Sequence, residues 1–176
     1  GDTGEATVNP TTLTFTAANW NSAQTVTVTG VNDDAVDGSQ TTTVTVSVDD
    51  GSSDDNFDPV ANQTVSVSTT DNDVASFSIA QTSGNTSVTE PDTTDTFTVV
   101  LDAQPLSDVV LTVSSGDTGE ATVSPATLTF TTANWNLAQT VTVTGVDDDV
   151  LDGTQTTTVT ISVDDANSND RFDSVS

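Results

Sequence analysis

The chain contains no cysteine, histidine, methionine, tyrosine or lysine, and Arg171 is its single basic residue. Without cysteine there is neither a disulfide framework nor a thiolate metal site. Without histidine, cysteine or lysine, the usual base-activated nucleophiles are missing. One basic residue against 27 acidic ones gives a formal net charge of −26. That balance excludes ordinary nucleic-acid binding, which needs a basic footprint, and disfavours contact with anionic lipid. No apolar run approaches the roughly 20 residues of a membrane span, and no stretch reads as a signal peptide, which an excerpt from mid-chain would lack in any case. Hydrophobic residues make up only 32%.

What is present is strongly ordered. Only Glu5, Glu90 and Glu120 are glutamate, so the acidity is mostly aspartate. The run GDTGEATVNPTTLTFTAANWN opens at Gly1, and GDTGEATVSPATLTFTTANWN opens at Gly116. The offset is 116 − 1 = 115 residues, and 46 of the 176 − 115 = 61 comparable positions are identical. A long near-identical period marks an array of equivalent modules. The chain holds about one and a half of them, which predicts an excerpt of something longer.

Valine and threonine alternate through Thr140-Val141-Thr142-Val143-Thr144, through its twin Thr25 to Thr29, and through Thr158 to Val163. Period two with short Asp, Asn, Gly and Pro punctuation predicts an antiparallel β-sandwich, valines inward and threonines outward. Strands are expected near 74–80, 86–89, 95–101, 108–114, 126–131, 138–146 and 155–163. The last strand of the module is seen only in the first copy, near 63–69. The predicted division is 1–73, the C-terminal part of a first repeat, and 74–176, a second repeat lacking its last strand. The first copy then forms a half-sandwich that exposes the valines of Thr25 to Thr29 and leaves strand edges open to pairing. Its gap would be filled by continuation of the chain or by strands of a neighbouring copy.

Successive loops of such a sandwich alternate between two poles. Glu90, Asp117, the Asp147-Asp148-Asp149 to Asp152 loop and the Asp71-Asn72-Asp73 terminus fall at one pole. Many carboxylates at one end repel each other unless a cation sits among them. Ca²⁺ takes six to eight oxygen ligands in irregular geometry, whereas Mg²⁺ wants a strict octahedron and transition metals favour the absent His and Cys. This predicts Ca²⁺ at each junction between modules. Isolated aspartates are read instead as turn-formers that keep the surface soluble. The opposite pole, with Asp49, Asp50, Asp54, Asp55 and Asp58 in copy one and Asp164, Asp165, Asp170 and Asp173 in copy two, is either a solvated loop or a source of further ligands. Trp20 and Trp135 sit in equivalent Ala-Asn-Trp-Asn turns and are read as lids on the sandwich end rather than sugar platforms. The sequons Asn62-Gln63-Thr64 and Asn85-Thr86-Ser87 are short patterns of low specificity.

The order of these motifs resembles the Calx-beta family, in the form found in large repetitive bacterial surface proteins and adhesins. The matching elements are Ser87-Val88-Thr89-Glu90, GDTGEATVSP, Leu128-Thr129-Phe130 followed by Ala133-Asn134-Trp135, QTVTVTGVDDD, and Thr70-Asp71-Asn72-Asp73. The resemblance implies an all-β fold of tandem immunoglobulin-like antiparallel β-sandwich repeats. It implies Glu90, Asp117, Asp147, Asp148, Asp149 and Asp152 as Ca²⁺ ligands in copy two, and Asp2, Asp33, Asp34, Asp37, Asp71 and Asp73 in copy one. Asn32 stands where copy two has Asp147, so copy one is expected to hold fewer or weaker ions. In sodium–calcium exchangers, the modules of the resembled family bind Ca²⁺ through acidic loops at one end; Gly153 and Gln155 stand where those modules are acidic, which favours roughly one to three ions over a larger cluster.

The leading expectation is a calcium-rigidified structural repeat of a long extracellular bacterial adhesin or surface fibre. Its partners are neighbouring repeats, with a host or surface glycan as a further candidate. Alternatives are a regulatory calcium-sensing module and a sugar-binding, lectin-like adhesive module. A two-carboxylate glycosidase is set aside, because clustered carboxylates are better explained as metal ligands, and the chain is read as no enzyme.

Overall fold

The structure is a computed structural model that describes residues 1–90, 93–151 and 153–175. Among the described residues it is nearly all-β, with antiparallel sheets and two short 3₁₀ turns, Thr82–Gly84 and Asp165–Asn167. No helix among the described residues is long and apolar enough to cross a membrane, which says nothing of β-barrels. Two compact units divide the chain: Gly1–Asp33 with Asp37–Asn72, and Asp34–Val36 with Asp73–Ser176.

The second unit is the better packed. Its strands are β5 (Phe77–Gln81), β6 (Thr94–Leu101), β7 (Val109–Ser115), β8 (Ala121–Ser124), β9 (Thr127–Phe130), β10 (Gln139–Gly145) and β11 (Val159–Val163). One sheet has the order β5-β6-β10-β8 and the other β11-β7-β9. Alternation sends every second side chain to a shared core. Phe97, Val99 and Leu101 of β6 and Val141 and Val143 of β10 come from the first sheet. Val109, Leu111 and Val113 of β7 and Leu128 and Phe130 of β9 come from the second. Burial of such side chains contributes about 1.5–3 kcal/mol each before entropy is counted. The Asp34–Val36 segment joins this unit: Ala35 bridges Gln104 in parallel, and Val36 is a core residue.

The first unit has four strands in two pairs. β1 (Ala6–Asn9) pairs with β2 (Thr27–Gly30), and β3 (Gln40–Val46) pairs with β4 (Gln63–Thr69). The β1–β2 register, Ala6 opposite Gly30 through Asn9 opposite Thr27, is the β8–β10 register displaced by 115 residues. Its apolar residues are largely uncovered: Phe15 is 53% exposed, where the corresponding Phe130 is 0% exposed.

The strand expectations need three corrections. No strand forms at 86–89; there the Ser87 amide donates to Asp95 Oδ2 at 2.9 Å, and the Thr89 carbonyl accepts the Thr93 amide at 3.1 Å. An additional strand, β8, lies within the GDTGEATVS motif. It lies in the other sheet from β9 and runs in the same direction, so loop parity is unchanged. The strand expected at 155–163 begins only at Val159, where pairing with β7 begins.

Candidate functional site

At one pole of the first unit, hydrogen bonds tie separate acidic segments together. The Gly1–Glu5 turn is built by Asp2: its Oδ1 accepts the Gly4 amide at 2.8 Å, and its carbonyl accepts the Ala6 amide. This is the local turn that Asp favours two residues before an amide donor. The Asp2 amide in turn donates to Thr42 Oγ1 at 2.7 Å, fixing the turn against β3. The Glu5 carbonyl accepts from the Val31 amide at 2.9 Å and from Thr69 Oγ1 at 3.0 Å. Glu5 thus sits where the end of β2 meets the end of β4. Asp71, just past β4, accepts the Asp37 and Gly38 amides on its Oδ2 at 3.1 and 2.6 Å. Gly38 adopts φ +74°, a conformation that favours glycine.

The electrostatic result is legible at Glu5. Burial pushes its pKa up first, and the negative charges of Asp37, Asp33, Asp2 and Asp71 push it further in the same direction. Like charges disfavour the ionised form of a neighbour. Four of the six residues implied for copy one, Asp2, Asp33, Asp37 and Asp71, therefore act on one glutamate that sequence reasoning did not single out. Its signal was present in the motif: Gly-Asp-Thr-Gly-Glu places a carboxylate immediately after an Asp-capped turn. Asp34 and Asp73 belong to the second unit, where the Asp34 carbonyl accepts the Gln104 amide at 2.7 Å.

The second unit gathers the corresponding loops by the same means. The Gly145 amide donates to the Thr93 carbonyl at 3.0 Å, the Val146 amide to the Glu120 carbonyl at 2.9 Å, and the Gly116 amide to the Thr158 carbonyl at 2.8 Å. The loops that carry Glu90, Asp117 and Asp147 to Asp149 consequently share one pole with Glu120. Asp117 Oδ1 accepts the Gly119 amide at 2.9 Å, as Asp2 does in the first unit. Asp148 caps its own loop by accepting the Val150 amide at 2.8 Å. Asp152 lies outside the described residues. In neither unit do the described side chains bring three or more carboxylates close enough to hold a metal ion together.

The opposite pole of the second unit is a structured plug. Asp164 and Asn169 amides donate to the Val110 and Asp108 carbonyls at 2.8 and 2.9 Å, and Phe172 is fully buried. Burial, then Asp165 and Asp170, hold Asp173 above the usual aspartate range. In the first unit the matching turn keeps its internal bonds. Asp54 Oδ1 accepts the Asn56 amide at 2.9 Å, and this bond holds the Asp54 carboxyl below the usual range. Trp135 packs against the core as a lid, and its carbonyl accepts the Leu101 amide at 3.1 Å.

Among known proteins, no family model matches the sequence. A search of curated proteins finds no match.

Proposed function

We propose that the chain is a calcium-rigidified structural repeat, a Calx-beta-like immunoglobulin-type module in tandem, of a long extracellular bacterial adhesin or surface fibre. The observation that carries this reading is the joining of Asp2, Glu5, Asp33, Asp37 and Asp71 at one pole, with the like-charge stress felt by Glu5. The donor set fits a hard cation that takes many oxygens in irregular geometry. Asp2 and Asp71 use one carboxylate oxygen to hold the loops, so their backbone bonds and their charge serve different purposes. In this reading Asp2, Glu5, Asp33, Asp37 and Asp71, which share one pole without converging on one point, draw in around Ca²⁺ in the first unit when it binds. Glu90, Asp117, Glu120 and the Asp147 to Asp152 loop do so in the second. Bound cation neutralises repulsion between loops and stiffens the pole. Near-identity of the two copies, 46 of 61 comparable positions, supports repetition as the purpose.

The test is calorimetric titration of the full chain with Ca²⁺ and, separately, with Mg²⁺. The expected result is saturable Ca²⁺ binding, at least about tenfold weaker in the Asp33→Asn, Asp37→Asn double variant because ligand charge sets affinity. Absence of Ca²⁺ heat, or indifference to the double substitution, overturns the assignment in the first unit.

A further inference from the structure

The two copies share sequence but not surroundings, and the difference has the shape of a missing pair of strands. In the second unit β10 spans Gln139–Gly145 and is paired on both edges, by β6 and by β8. In the first unit the same sequence is strand only over Thr27–Gly30, paired on one edge by β1. β9, Thr127–Phe130, is a strand because β7 pairs with it. The identical Thr12-Leu13-Thr14-Phe15 forms no strand. β4 lies on one edge of β3, with Thr43 opposite Ser66. On the other edge Gly1 lies so close to the Thr43 carbonyl that a Cβ would clash. Beside this edge runs a cleft of about 280 Å³ between Ala6, Val8 and Thr11 on one side and Thr42 to Thr45 on the other. In the second unit β7 lies between β11, which matches the Thr42 to Thr45 wall, and β9, which matches Thr12 to Phe15; β8, which matches Ala6 and Val8, belongs to the other sheet.

The side chains tell the same story. Val28, Phe15 and Phe57 are 39%, 53% and 59% exposed, while their counterparts Val143, Phe130 and Phe172 are 3%, 0% and 0% exposed. Gly145 is required in the second unit because a Cβ there would meet the Thr89 carbonyl at 2.9 Å. Gly30 has only a threonine methyl at 3.5 Å. The glycine recurs in the first unit, while the close carbonyl that requires it is seen only in the second.

We propose that the open face of the first unit is a docking site for a polypeptide segment with the β5–β7 sequence, Val74 to Ser115, or its close likeness. The incoming segment adds one strand to the free edge of β2 and another between β3 and Thr12 to Phe15. Backbone bonds then supply affinity and alternate apolar side chains supply register. The occupant is a segment not already folded into a unit. A second copy of this chain is a poor donor, because its own Val99, Val109 and Leu111 are 0% exposed within its second unit.

The experiment uses the full chain labelled with 5-fluorotryptophan, which gives one ¹⁹F signal for each of Trp20 and Trp135, assigned with Trp20→Phe. Trp20 is 70% exposed, and its carbonyl is the counterpart of the one that takes the Leu101 amide in the second unit. A synthetic peptide of residues 74–115 should shift the Trp20 signal saturably at one peptide per chain and leave Trp135 unmoved. The same peptide carrying Val99→Asp and Leu111→Asp should do nothing. The proposal is overturned if the native peptide leaves Trp20 unmoved, if the doubly substituted peptide acts equally, or if Trp20 shifts with chain concentration alone, which would mean that a second copy covers the face.

Discussion

Glu5 and Phe172 show how differently single residues are used at the two ends of these units. Folding raises the Glu5 pKa, so the folded chain holds that proton to higher pH than the unfolded chain. Stability then falls as pH rises through the interval between the two values and is regained on acidification. Glu5→Gln is therefore expected to melt higher than the parent at neutral pH in chelator. The difference should vanish below the ordinary glutamate pKa of about 4.3. In calcium the proposed function predicts the reverse order, because there Glu5 is proposed as a ligand. Melting curves across pH in both media check this, and a difference independent of pH would contradict it. Phe172 is a packing residue: Phe172→Ala should cost the second unit about 3–5 kcal/mol in denaturant unfolding. Phe57→Ala, at the matching but exposed position, should change stability by less than about 0.5 kcal/mol. The sequence alone did not distinguish these two phenylalanines, since they occupy the same motif. Their fates are set by whether β6 and β7 are there to cover them.

At the level of elements, most strands could be read from period-two alternation because the valines of β10 and β11 face a core and their threonines do not. Loop parity was legible for the same reason. β8 was missed because Ala121-Thr122-Val123-Ser124 is short and sits inside a turn-rich motif. The strand expected at 86–89 failed because the Ser87 amide is taken by the Asp95 carboxylate rather than by a neighbouring strand. The acidic pole was legible in outline, since loop order places the aspartates; Glu5 and Glu120 carry a signal in the Gly-Asp-Thr-Gly-Glu motif, but only the folded turn shows which charges surround Glu5. Pairing also decides local stability, and opening free energies vary widely within one chain. Amides of β9 that face β7 should exchange orders of magnitude more slowly than the matching amides of Leu13 to Phe15, despite identical sequence. Hydrogen exchange read residue by residue checks this; equal protection would show that the first unit closes its own edge.

For the whole molecule, charge is the dominant fact. A formal net charge of −26 with one arginine means that self-repulsion opposes compaction. Monovalent salt should relieve part of it by screening, in both units and without saturation at a defined stoichiometry. A bound divalent cation acts differently. It stabilises only the folded state and does so by mass action, about 2.7 kcal/mol per site at a concentration 100 times its dissociation constant. For a chain of this size each kcal/mol moves the melting temperature by about 2–4 °C. The most direct test of calcium at the acidic poles is therefore scanning calorimetry of the full chain in Ca²⁺ and in chelator, at matched ionic strength. Melting is expected at least about 5 °C higher in Ca²⁺, with the gain reduced in the Asp33→Asn, Asp37→Asn variant. Superimposable traces at matched ionic strength would contradict it.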